Sequence, residues 1–169
     1  MIQAAVVTIS DSVHRGERVD ASGPAVRERL EQLGWSVAAM EILPDEEHLI
    51  SRRLATLADG NQVAAIFTTG GTGVASRDVT PEATRVVVDR EIPGLSELMR
   101  AEGRQATPLA VLSRGLAGTR GGVLIVNLPG SPRGAVESLN AIVGVVPHIL
   151  DLLRGLTEHR AAAKLNATG

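Results

Sequence analysis

The chain contains no cysteine and no tyrosine, and its aromatic residues are one tryptophan, Trp35, and one phenylalanine, Phe67. Without cysteine there is no disulfide framework, no thiol nucleophile and no thiolate metal site, a composition suited to a reducing compartment. So few aromatic rings argue against base stacking as the main mode of binding. Charge of one sign is also missing: 17 basic and 19 acidic residues leave a formal net charge of −2. That balance gives no electrostatic footprint for nucleic acid or for an anionic membrane surface. No stretch approaches the roughly 20 apolar residues of a membrane span, and the N-terminal MIQAAVVTISDS lacks a basic region before its short apolar run. The sequence therefore reads as soluble and cytoplasmic, with no nucleic-acid or membrane partner.

What is present is an aliphatic chain of 169 residues, 44% hydrophobic. Ala4–Ile9 is an unbroken apolar run rich in β-branched residues, as in a strand buried on both faces. The polar stretch Ser10–Gly23 follows, long enough to suggest a functional or a mobile loop. Pro24 then opens a helix carrying Val26, Leu30 and Leu33, and Gly34 stops it. Trp35–Leu43 reads as a second strand, and a helix from Pro44-Asp45-Glu46 carries Ile50, Leu54 and Leu57. Val63–Phe67 is a third strand. Helices are expected at Pro81–Arg90 and Gly94–Glu102, a short strand at Ala106–Leu112, a glycine-rich loop at Ser113–Gly122 and a buried strand at Val123–Leu128. A last helix over Ser131–Arg154 is expected to bend at Pro147.

This alternation predicts an α/β fold with three α/β/α layers around a mostly parallel sheet joined by right-handed crossovers. Residues 1–154 are expected to form one domain, with 155–169 a flexible tail. In such sheets ligands bind beyond the carboxyl ends of the strands. Ser10-Asp11, Pro44-Asp45, Gly70–Asp78 and Asn127–Ser131 all follow strands and so are expected at that end.

Residues 68–84, TTGGTGVASRDVTPEAT, place three glycines within four positions. Glycines let successive N–H groups curl around an anion, and Gly70, Gly71, Thr72 and Gly73 would form such a nest. A plain strand-to-helix turn fits the same pattern. No Gly-Lys-Ser/Thr follows, so this is not a P-loop, and the spacing fails the dinucleotide fingerprint. In Pro129-Gly130-Ser131-Pro132 the serine caps a helix, with or without an anion on the free N–H groups. Asp45 and Asp78 could hold one Mg²⁺ between them, or simply cap their helices. His14, His48, His148 and His159 show no metal-ligand spacing, and GxSxG is absent.

Taken with TISDSVHRGERVDASGPAV, ILPDE, EIPGLSELMR, LSRGLAGTRGG and VNLPGSP, the glycine segment resembles the molybdenum-cofactor biosynthesis family. That family includes the bacterial Mog and MoaB proteins, gephyrin's N-terminal domain and the plant adenylyltransferase domain. The resemblance spans about residues 4–154. It implies a homotrimer and, for Mog-type members, transfer of AMP from ATP to the terminal phosphate of molybdopterin with Mg²⁺, the product passing to a molybdate-insertion protein. The MoaB branch implies an alternative, molybdopterin binding without adenylyl transfer. Residue by residue, Asp45 and Asp78 match the family's functional and metal-holding carboxylates. Gly70, Gly71, Thr72 and Gly73 match its phosphate and pterin pocket, while Ser113, Asn127, Pro129, Gly130 and Ser131 match neighbouring substrate-binding loops; Ser10 is also expected to bind substrate. Ser76 stands where the family commonly has proline.

Overall fold

The computed structural model describes residues 1–156, so all but the first two residues of the expected tail lie outside the described residues. The chain runs β1 (Gln3–Ile9), α1 (Asp11–His14), α2 (Ser22–Gln32), β2 (Ser36–Leu43), α3 (Glu47–Asp59), β3 (Ala65–Thr69) and α4 (Thr80–Arg85). It continues through β4 (Arg90–Glu91), α5 (Pro93–Ala106), a 3₁₀ turn (Pro108–Leu112), β5 (Ala117–Arg120), β6 (Val123–Leu128), α6 (Pro132–Ile142) and α7 (Val146–Leu153).

The six strands form one sheet in the order β2-β1-β3-β6-β5-β4. β1, β2, β3 and β6 are mutually parallel, and β5 and β4 add antiparallel at one side. The side chains of the central strands alternate between two cores, as period-2 pleating requires. Ala4 and Val6 of β1, Phe67 of β3 and Leu124 and Val126 of β6 pack with α2, α5, α6 and α7. Ala5 and Val7, with Ile66, Val123 and Ile125, pack with α3 and α4. This is the expected three-layer α/β/α architecture. No single helix among the described residues is long and apolar enough to cross a membrane.

Several local expectations are corrected. Ala106–Leu112 is not a strand: Ala106 ends α5, and Thr107 caps a 3₁₀ turn by accepting the Leu109 N–H, with Pro108 at its start. The stretch Ser113–Gly122 is only partly loop, because Ala117–Arg120 pairs with β6 through a turn at Gly121-Gly122, where Gly121 has φ +53°. α4 stops at Arg85 and not at Arg90, since Arg90 and Glu91 pair with β5. The expected last helix is two helices meeting at 61°. The break falls at Val143–Val145, around Gly144, and Pro147 sits in the first turn of α7, where its missing N–H costs nothing. Within Ser10–Gly23, Ser10 caps the short α1, and α2 begins at Ser22, two residues before Pro24.

Register decides where the loops meet. Ile9 pairs with Leu43, Thr8 with Thr69, and Thr69 with Leu128. The segments after β1, β2, β3 and β6 therefore leave one edge of the sheet together. β2 and β3 lie on opposite sides of β1, so the chain reverses its direction of winding there, at the crevice where open α/β sheets take ligands.

Candidate active site

The turn after β3 has its carbonyls turned into the protein. The Gly71 oxygen accepts from Thr80 N–H at 3.1 Å, the Thr72 oxygen from Arg114 N–H at 2.8 Å, and the Gly73 oxygen from Arg114 Nε at 2.6 Å. The N–H groups of Gly71, Thr72 and Gly73 have no protein acceptor among the described residues. A turn that spends its acceptors and keeps its donors is an anion nest. Gly70 is different. Its N–H is committed to the Leu128 carbonyl at 3.1 Å and its own carbonyl accepts from Thr80 Oγ1 at 2.9 Å. Gly70 therefore ties β3 to β6 and α4, and its expected part as a nest donor is corrected.

Two carboxylates press against the same turn. A Cβ placed on Gly71, whose φ is +64°, would stand 2.9 Å from Asp45 Oδ1, and one placed on Gly73 would stand 2.8 Å from Asp78 Oδ2. Neither aspartate caps a helix with its side chain: α3 and α4 begin after Glu46 and Val79, both without side-chain caps. Asp45 instead exchanges bonds with Asp11. Asp11 N–H donates to Asp45 Oδ2 at 2.9 Å, and Asp45 N–H donates to Asp11 Oδ1 at 3.0 Å. Asp78 Oδ2 accepts from Ala75 N–H at 2.9 Å while Asp78 N–H donates to the Ala75 carbonyl at 3.0 Å. That reciprocal pair closes the turn with serine at position 76 in place of proline.

The electrostatics follow from this crowding. Burial pushes the Asp45 carboxyl above its ordinary 3.8, and the charges of Asp11 and Asp78 push it further, against the pull of the Asp11 N–H. For Asp11, partial burial acts upward but is outweighed by the Asp45 N–H and the Arg77 guanidinium, which hold it below 3.8. Arg77 grips Asp11 with two bonds, at 2.9 and 3.0 Å. Among the described residues no group of three or more His, Asp or Glu side chains is arranged to hold a metal. Two carboxylates beside an anion nest still suit Mg²⁺, which keeps several waters and shares its shell with substrate phosphates.

Beside the turn opens a cavity of about 430 Å³. Gly71, Thr72, Gly73 and Asp78 line it, as do Ser113, Asn127, Pro129, Gly130 and Ser131. Ser10, Asp45 and Gly70 do not; Asp45 lies against Gly71, and Ser10 caps α1 by accepting the Val13 N–H. Asn127, 1% exposed, has its amide fully engaged: Oδ1 accepts from Leu116 N–H, and Nδ2 donates to Thr68 Oγ1 and Thr84 Oγ1. It fixes the strand ends around the cavity. Ser131 caps α6 by accepting the Gly134 N–H at 3.0 Å.

Sequence reasoning gave no role to Arg114, Arg77 or Asp11, although Asp11 and Arg77 lie in segments expected at this end of the sheet. Arg114 donates to the carbonyls of Gly73 and Asp78 and pairs with Glu82, so one side chain clamps the whole turn. Its partners lie 32 to 41 positions away, and nothing in local spacing reveals them. Ser96 and Arg100 of α5, also cavity-lining, could have been found, because Ser96, Met99, Arg100 and Gly103 fall at i, i+3, i+4, i+7.

The chain is similar to known proteins over most of its length. The family model described as probable molybdopterin binding domain matches residues 5–149. The molybdopterin adenylyltransferase of Helicobacter pylori strain J99 is 41% identical over 156 residues, covering 91% of this chain and 89% of that protein. The Escherichia coli K12 molybdopterin adenylyltransferase is 37% identical over 168 residues, covering 91% of this chain and 86% of that protein. The crystal structure of the molybdopterin biosynthesis enzyme MoaB from Thermus thermophilus superimposes with a TM-score of 0.86 at 52% identity, covering 92% of this chain and 98% of that one. The chain belongs to the molybdopterin-binding-domain family of molybdenum-cofactor biosynthesis proteins.

Proposed function

We propose that this protein is a molybdopterin adenylyltransferase, a nucleotidyltransferase that moves AMP from ATP to the terminal phosphate of molybdopterin and releases pyrophosphate. The observation that carries the reading is the turn Gly71–Gly73, donors free and carbonyls engaged, between Asp45 and Asp78 at the rim of the cavity. The nucleophile is a phosphate monoester, already anionic near neutral pH, so no strong general base is needed. A phosphate oxygen attacks the α-phosphorus of ATP, a P–O bond forms, and the bond to pyrophosphate breaks. The barrier lies in gathering anions and in charge growing on the leaving group.

The chain's own residues address both. The N–H groups of Gly71, Thr72 and Gly73 are fixed before substrate arrives, because Thr80 and Arg114 hold the carbonyls behind them. Asp45 and Asp78 would hold Mg²⁺ with phosphate oxygens and water, and the ion would neutralise polyphosphate charge. Asp11 and Arg77 keep Asp45 oriented from behind. The unit that does this is one domain over residues 1–154. The same reading carries a homotrimer in the cytoplasm and hand-over of product to a molybdate-insertion protein.

The test is direct: protein, ATP, Mg²⁺ and molybdopterin are combined under anaerobic conditions, and adenylylated molybdopterin and pyrophosphate are quantified. Both are expected in equal amounts. Tight molybdopterin binding with no nucleotide-dependent product would overturn the enzyme in favour of a binding protein.

A further inference from the structure

Ser96 lies in the first turns of α5, 5% exposed, and its Oγ is the one buried side-chain polar atom among the described residues that has no hydrogen-bond partner. Serines within helices commonly satisfy themselves by donating to the carbonyl one turn back. This one does not. A buried hydroxyl left without a partner is costly, and native proteins seldom keep one without a reason.

Its position supplies the reason. Ser96 lines the 430 Å³ cavity together with Met99, Arg100 and Gly103 of the same helix face, as do Gly71–Gly73 with their free donors. Arg100 is already occupied, donating to the carbonyls of Ser113 and Gly115 at 3.3 and 3.4 Å. Gly103 is small because a Cβ there would stand 2.9 Å from Ala110 Cβ, so the 3₁₀ turn packs closely against α5. On that helix face Ser96 is the polar group still uncommitted. Largely apolar pockets orient a ligand through a few such groups.

We infer that Ser96 Oγ hydrogen-bonds the polar edge of the flat nitrogen heterocycle that enters this cavity, and so fixes the ring's orientation relative to the phosphates at the glycine turn. This rests on the adenylyl-transfer reading, in which two such rings arrive: the pterin of molybdopterin and the adenine of ATP. The chemistry of recognition is shared, and the experiment separates the sources.

The full chain and its Ser96→Ala and Ser96→Thr variants are titrated calorimetrically with molybdopterin alone and with Mg-ATP alone, and each ligand-free protein is melted. Ser96→Ala is expected to weaken one ligand roughly tenfold and leave the other within twofold, which names the ring. Its ligand-free melting temperature should stay level or rise, because an orphaned hydroxyl has been removed. Ser96→Thr, which keeps the hydroxyl, should retain most of the affinity. Equal affinities for both ligands in wild type and Ser96→Ala would overturn the inference, leaving a hydroxyl that is packed or satisfied by water. So would a uniform loss of both ligands with a lowered melting temperature. If the unaltered protein binds neither ligand, the proposed function falls first, and Ser96 with it.

Discussion

Replacing Gly70 by alanine tests whether the end of β3 is as tightly built as its hydrogen bonds imply. Gly70 has φ +94°, and a Cβ there would lie well under 3.0 Å from the carbonyl oxygen of Ile9. That oxygen belongs to the backbone of β1, which is paired on both sides and cannot swing away as a side chain could. A left-handed conformation costs an L-residue about 1–2 kcal/mol, and forcing extra volume into a packed region costs about 1–3 kcal/mol more. The sum, about 2–5 kcal/mol, is a large share of a typical domain's stability of about 5–15 kcal/mol. Gly16 is the control: its φ is +74°, but a Cβ would meet nothing within 4 Å. Gly16→Ala should therefore lose only the conformational part. Any gain from stiffening the unfolded chain is common to both variants and cancels in the comparison. Urea unfolding followed by circular dichroism gives the two free energies, and at about 2–4 °C per kcal/mol Gly70→Ala should melt roughly 4–20 °C below wild type. Equal losses in the two variants would refute the close approach of Gly70 to β1.

The remaining predictions concern charge. Asp78→Asn should leave the melting temperature within a few degrees of wild type while lowering single-turnover rate at least tenfold, far more than it weakens molybdopterin binding; an unfolded variant would make the residue structural. Asp45→Asn should shift the Mg²⁺ titration to higher concentration without loss of stability near neutral pH, because burial and two neighbouring carboxylates already disfavour the ionised Asp45; an unchanged titration would remove Asp45 from the metal. Arg114 beside Glu82 holds that carboxyl below its ordinary 4.5, so the pair's stabilisation is fully present above about 4.5 and is lost as pH falls through the lower folded value. Both side chains are more than a third exposed, so the contribution is under about 1 kcal/mol. Glu82→Gln should flatten the acid limb of the stability curve by that amount, and an unaltered limb would count against the pair.

The parts of this structure that could be read in advance are those whose causes are local. Val123–Leu128 and Ala4–Ile9 are strands because each apolar run is short, β-branched and followed by punctuation. Gly70–Gly73 and Pro129–Ser131 mark the turns that follow β3 and β6 at one edge of the sheet, because a turn needs such residues wherever it occurs. Ala106–Leu112 misled because a short apolar run carries no period of its own, and Thr107-Pro108 resolves it into a 3₁₀ turn. β4 is two exposed residues, Arg90 and Glu91, and no pattern of burial could announce it. Gly144 and Pro147 both lie in the last helical stretch. The break went to glycine because proline in a first turn is harmless.

The site's preorganisation is a different matter, since it consists of bonds between distant segments. Asp11 and Asp45 are 34 positions apart and Arg77 and Asp11 are 66 apart, yet they form one chain of contacts running from α1 through the loop after β2 to the Asp78 turn. Arg114 closes the other side. Each of these groups works on what the nest leaves over: by engaging the carbonyls of the turn and bonding the carboxylates beside it, they leave the N–H groups of Gly71, Thr72 and Gly73 free, as the proposed binding of phosphate and cation requires. A glycine-rich turn alone would be free to satisfy its own donors, and would then bind nothing. The conversion of a flexible turn into a polarised cradle therefore resides in Thr80 and Arg114 as much as in the glycines.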